Sequence, residues 1–187
     1  MKRLSLWAAL AAAVLATSCA MWTRIDSPTI AGPSEAYFVD APVGWVQLTM
    51  YTDGIRMTRD GFSVQLMDVT LTPHGKELAR TKKATSANMP AQELAEALLA
   101  DLRGQPGLGN LTVKETVPAR IGPYNGFRVQ AQFRNERGVA FSMVIYGAAL
   151  PQGRLVLLYQ AIDRHFFARD LPAFEGLVKS WRTKRAA

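Results

Sequence analysis

The chain has 187 residues, a length that sets the expectation at one domain. With 49% hydrophobic and 20% charged residues, wholesale disorder is excluded. The formal net charge of +7 falls to +5 without Lys2 and Arg3, and it reads as a solvated basic surface with no nucleic-acid partner. Cys19 is the single cysteine, so no internal disulfide can form.

In chain order, Lys2-Arg3 precedes an uncharged run from Leu4 to Ala16, and small residues lead to Ser18-Cys19. Basic, apolar, small, boundary is the layout of a secretory signal. The apolar run of about 13 residues falls short of the roughly 20 needed to span a bilayer. Leu15-Ala16-Thr17-Ser18-Cys19 resembles a bacterial lipobox, with Ala16 where leucine is commonest. The resemblance implies cleavage between Ser18 and Cys19, and a diacylglyceryl group plus an amide-linked acyl chain on Cys19. Two or more chains anchor a protein firmly, whereas one binds marginally. Ordinary signal cleavage near Ala20, after the small-x-small Ser18-Cys19-Ala20, is the alternative. Ala20 is not the aspartate associated with inner-membrane retention, so by that analogy the outer membrane, facing the periplasm, is the expected home.

Residues 19–35 carry neither periodicity and include Pro28, Gly32 and Pro33, which reads as a lipidated N-terminus and flexible tether. Sixteen extended residues reach about 55 Å, enough to hold the domain clear of a membrane. Trp22 suits either a head-group contact or an exposed linker position. A single domain is expected over 36–182, followed by a basic tail at 183–187. Alternation punctuated by Asp53-Gly54 and Asp60-Gly61 predicts three antiparallel strands near 45–51, 55–59 and 62–71, joined by turns that need positive φ. In the third, Leu66, Asp68 and Thr70 share one face, while Gln65, Met67 and Val69 share the other. Neither face is uniformly apolar, as in a sheet covered partly on both sides. Asp68 among apolar neighbours is explained by an edge position or by pairing with an arginine such as Arg56.

Residues 72–88 form the longest irregular stretch, and Arg80, Lys82 and Lys83 make a small basic cluster in it. The cluster fits a partner or lipid contact, or a solvated loop. Pro90 opens a helix to about Arg103, with Leu94, Ala95, Leu98, Leu99 and Leu102 on one stripe. Strands follow near 111–119, 126–134, 138–148 and 154–162. Phe127, Val129, Ala131 and Phe133 point inward, and the apolar Leu155–Leu158 run belongs in the middle of the sheet. A closing helix is expected over 164–181, bent or restarted at Leu171-Pro172.

This order of strands, long connection, helix, four-strand meander and helix resembles the PsbP-like fold, shared by the photosystem II extrinsic protein and a Ran-binding nuclear protein. The residues that carry the resemblance are Ala41-Pro42-Val43-Gly44-Trp45, Thr58-Arg59-Asp60-Gly61, Ala91-Gln92-Glu93-Leu94-Ala95 and the stripe from Phe174 to Trp181. It implies an α+β sandwich, a largely antiparallel sheet of six to seven strands with helices packed on it, and a non-enzymatic interaction role.

Motifs of catalysis are missing from the sequence. There is no Gly-x-Ser-x-Gly, Ser-x-x-Lys or His-Glu-x-x-His motif. His74 and His165 have no second histidine or cysteine at metal-ligand spacing, so no metal or cofactor is expected. Asp163 and His165 could meet at a helix start, but Asp163 reads as an N-cap. The expectation is therefore a lipid-anchored envelope lipoprotein acting as an interaction or scaffold module, tethered through Cys19 and meeting an envelope protein partner. The alternative is a periplasmic small-ligand carrier using a sheet–helix cleft.

Overall fold

The computed structural model describes residues 21–183. Cys19 and the Ser18–Cys19 cleavage point lie outside the described residues, as do residues 184–187. The strands are β1 (Trp22–Arg24), β2 (Thr29–Ala31), β3 (Tyr37–Asp40), β4 (Val46–Leu48), β5 (Gly54–Thr58), β6 (Gln65–Thr72), β7 (Gly109–Ile121), β8 (Tyr124–Arg134), β9 (Ala140–Leu150), β10 (Gly153–Ile162) and β11 (Arg182–Thr183). The helices are α1 (Ala91–Arg103) and α2 (Ala168–Ser180). Eight strands form an antiparallel sheet in the order β1-β4-β5-β6-β10-β9-β8-β7, and β11-β3-β2 form a small second sheet. The expected α+β architecture is present, with β1 adding a strand to the number expected.

The long strands follow from their sequence alternation. In β8, Phe127, Val129, Ala131 and Phe133 are buried, while Arg128, Gln130 and Gln132 are only partly covered. The Leu155–Leu158 run lies in β10, fifth of the eight strands, flanked by β6 and β9. A central strand has neighbours on both edges and helices near both faces, so apolar side chains suit every position.

Each helix covers a different face. Leu94, Ala95 and Leu99 of α1 pack with Phe127, Val129, Met143 and Ile145, and Leu98 and Leu102 extend the same contact. Phe174, Leu177, Val178 and the following Trp181 pack against Met67, Val69, Leu157 and Tyr159 on the opposite face. Phe174 is fully enclosed, its ring 5.6 Å from Tyr159 and 6.0 Å from Tyr146. Burial of one such side chain contributes about 1.5–3 kcal/mol.

Three local expectations are corrected. The tether expected over 19–35 is part of the fold from Met21 onward. β1 pairs in register with β4 (Trp22 opposite Leu48, Arg24 opposite Val46), and the Ile25 N–H donates to the Trp45 carbonyl at 2.8 Å. Ile25 is buried in the main core. A three-residue strand is too short to show a period, which is why this stretch reads as irregular. Gly54 does not adopt positive φ; it opens β5, where a Cβ would stand 2.2 Å from the Val69 carbonyl oxygen. Close strand approach, rather than turn geometry, requires glycine there. Finally, the last helix is interrupted before its proline rather than at it. Arg164 and His165 leave helical geometry, His165 at φ 75°, ψ −54°, and α2 then runs through Pro172.

Candidate functional site

β6 shows two unlike faces. Gln65, Met67 and Val69 are fully buried under the α2 layer. Leu66, Asp68 and Thr70, on the α1 side, are only half-covered, because α1 packs on β7, β8 and β9 and stops short of β6. This leaves an open half-face over β6, β5, β4 and β1. The register carries Asp68 opposite Arg56, and the alternation of β4 and β1 brings Leu48 and Trp22 to the same side.

At the inner part of this half-face, Arg56 Nη2 donates to Asp68 Oδ2 at 2.6 Å, the second of the two explanations the sequence offers for Asp68. Tyr51 closes the pair: Arg56 stacks 4.0 Å over its ring, and its hydroxyl lies 3.5 Å from the same carboxylate oxygen. Burial pushes the Asp68 carboxyl above the usual carboxylate range, against the pull of Arg56. Burial also pushes the Tyr51 phenol up to about 12, helped by the negative charge of Asp68. Arg56 Nε and Asp68 Oδ1 are enclosed without a hydrogen-bond partner. At the outer part, the Trp22 ring packs 5.0 Å from Phe62. The Thr49 N–H donates to the Met21 carbonyl at 3.2 Å, which extends the β1–β4 pairing to Met21 and Thr49, the residue before Met50.

The basic cluster of the long connection lies elsewhere. Arg80, Lys82 and Lys83 are exposed. Asp101 of α1 accepts from the backbone N–H of Arg80 at 2.7 Å and of Thr81 at 2.9 Å, and Lys83 pairs with Glu93 at 2.9 Å. Acidic groups of α1 thus partly offset the cluster. The connection has no regular structure, yet it is pinned. Leu78 and Thr85 are buried, and Arg154, itself buried, donates to Thr85 Oγ1 at 3.2 Å. His74 donates through Nε2 to the Leu150 carbonyl at 2.6 Å. These anchors come from β9 and β10, distant in sequence, so nothing local to 72–88 announces them.

Asp163 is not a helix cap. Its carboxylate accepts from the hydroxyl of Ser142 and, at 3.5 Å, from the Gln132 amide, and it makes no bond to His165 among the described residues. His165 is exposed, edge-on to Phe166. An ion-pair cluster not foreseen from the sequence ties the β5–β6 turn to α2. Arg169 bridges Asp60 and Asp170, and Arg59 reaches Asp170 at 3.3 Å. Hydrogen bonds from Gln65 and Arg169 hold the Asp60 carboxyl below its ordinary range. A cleft of about 460 Å³ opens between α1 and the β7–β8 hairpin, lined by Ala95, Leu99, Val117, Pro118 and Phe127, with Gln92 and Glu96 at its polar side. No helix among the described residues is long and apolar enough to cross a membrane.

No family model matches the chain, and no curated protein matches it in sequence. Solved structures share its fold. Cyanobacterial PsbP (CyanoP) from Synechocystis aligns with a TM-score of 0.53 at 10% identity, over 86% of this chain and 94% of that one. The Ran-binding protein Mog1p of Saccharomyces cerevisiae aligns with a TM-score of 0.53 at 10% identity, over 85% of this chain and 96% of that one. The fold is PsbP-like. LpqN of Mycobacterium tuberculosis, described as involved in cell envelope biogenesis, overlaps 88% of this chain and 80% of its own at 13% identity, with a TM-score of 0.48.

Proposed function

We propose that this protein is a lipid-anchored lipoprotein of the bacterial cell envelope, on the outer membrane facing the periplasm, whose domain is a non-enzymatic interaction module. The observation that carries the reading is the order Lys2-Arg3, apolar run, Ser18-Cys19, in which the single cysteine stands where a lipobox would have it acylated. The fold supports the second half of the reading, since a structure of the same fold is described as a Ran-binding protein. Fold alone does not choose the partner. The open half-face and the exposed residues of the 72–88 connection, Arg80 and Lys82 among them, are the surfaces offered to it. The test is the intact mass of protein extracted from membranes. Loss of residues 1–18 with three acyl chains on Cys19 is expected; a water-soluble chain beginning after Ala20 would overturn the anchor. Crosslinking in the envelope is expected to recover a partner that a Cys19→Ala control does not, and recovery of nothing above that control counts against the interaction role.

The cleft beside α1 favours a second reading, a small-ligand carrier. Its volume and its apolar walls with one polar side have the form of a ligand site. Native mass spectrometry of the protein is then expected to show a co-purified mass, lost when Ala95→Trp fills the cleft.

A further inference from the structure

Five large apolar side chains are exposed among the described residues, and three of them, Met21, Trp22 and Met50, belong to residues at the same end of the β1–β4 ladder. Val43 lies toward the other end of that ladder and Val139 in the β8–β9 turn, and single exposed apolar residues need no explanation. A cluster does. Met50 is 68% exposed, Met21 46% and Trp22 44%, with the Phe62 ring extending the apolar surface behind Trp22. A backbone hydrogen bond and an in-register strand pair hold these residues in place, so the patch is a fixed surface of the domain.

Met21 stands two residues after Cys19. Two extended residues span at most about 7 Å. The backbone of Cys19, the point of attachment, therefore lies within about 7 Å of Met21. A thioether, an indole and a second thioether form the kind of surface that settles at the boundary between head groups and acyl chains. We propose that Met21, Trp22 and Met50 form a membrane-contact surface that seats the β1 edge of the sheet in the interfacial layer of the bilayer to which Cys19 is attached. This rests on the lipid-anchor reading. It adds that the domain is seated on the bilayer in one orientation, with β1 down, instead of standing off on a lead.

The tryptophans make the proposal testable in the acylated mature protein. Of the four, Trp7 precedes the cleavage point, and Trp45 and Trp181 are 4% and 2% exposed. Trp22 is thus the accessible one in the mature chain. The acylated protein is reconstituted into vesicles of phosphatidylethanolamine and phosphatidylglycerol, with and without brominated acyl chains. Bromine is expected to remove roughly a third of the total emission, the share of one interfacial tryptophan in three. In Trp22→Phe the loss is expected to vanish while the protein still floats with the vesicles. Protein whose mass carries three acyl chains and which floats, yet whose emission is indifferent to bromine, overturns this proposal alone. Indifference to bromine together with protection of Trp22 from acrylamide, seen only in native membranes, also overturns it and assigns the patch to a protein partner. A mass without acyl chains overturns the anchor and this proposal together.

Discussion

Residues 66 and 67 are neighbours in β6 and live in different surroundings. Met67 is fully enclosed between the sheet and the α2 layer, whereas Leu66 faces the side that α1 leaves open. The middle of the sheet differs again: β9 is buried on both faces, in the α1 core on one side and the α2 core on the other, whereas β6 has one buried face and one half-covered face. The covered part carries the stability, and the open part is where apolar and charged groups remain available at the surface.

Substitutions on the two faces sharpen the contrast. Met67→Ala is expected to cost about 2–5 kcal/mol in urea unfolding, and Leu66→Ala less than half of that, because a half-covered site loses less transfer energy and its cavity can fill with water. Equal costs would show that the half-face is covered after all. Arg56→Met is expected to cost about 1–3 kcal/mol, since it leaves Asp68 partly buried without its cation. Adding Asp68→Leu is expected to recover most of that loss; a double variant no better than the single would mean the pair matters through geometry rather than charge.

Asp60, tied to α2, and Asp68, on the half-covered face, respond to pH with opposite signs. The folded carboxyl of Asp60 lies below its ordinary value of 3.8, so its contribution is complete above that value and is lost as pH falls through the folded one. Asp60→Asn is expected to flatten the acid limb of the stability curve by less than about 1 kcal/mol, the range for partly exposed pairs. The carboxyl of Asp68 lies above its ordinary value, so its ionisation opposes folding, and that penalty is relieved as pH falls through the raised value. Asp68→Asn should therefore make acid unfolding steeper, as measured by urea midpoints across pH. Trp22→Ala, at the outermost position, is expected to change stability by under about 0.5 kcal/mol in the same assay. A larger loss would make Trp22 a structural residue and not a surface one.

Much of the covered region was legible in the sequence. Strands of ten or more residues, such as β8 and β10, and the stripe of α1 repeat their period often enough to be read. The open region was legible only in fragments. β1 and β2 have three residues each, too few for a period, and Gly54 is set by the backbone of a strand whose pairing had first to be known. The long connection looked loose because its fasteners, Arg154 and the Leu150 carbonyl, lie more than sixty residues further on. Trp22 stood out as an aromatic residue, but its place at the same end of the sheet edge as Met50 follows only from the β1–β4 ladder.

The order of the sheet also has a kinetic consequence. The block β1-β4-β5-β6 and the block β9-β8-β7 are linked in the sheet's hydrogen bonding only through β10, which is the last long strand of the chain. Until residues 153–162 are available, β6 has a bare edge with Met67 and Val69 beside it, and no strand ladder joins the two blocks. Pairing of β6 with β10 closes a loop of more than eighty residues, a slow step for a chain of this size. During synthesis the early strands must wait for that late one, and a chaperone that shields the β6 edge in the interval would raise the yield of folded protein.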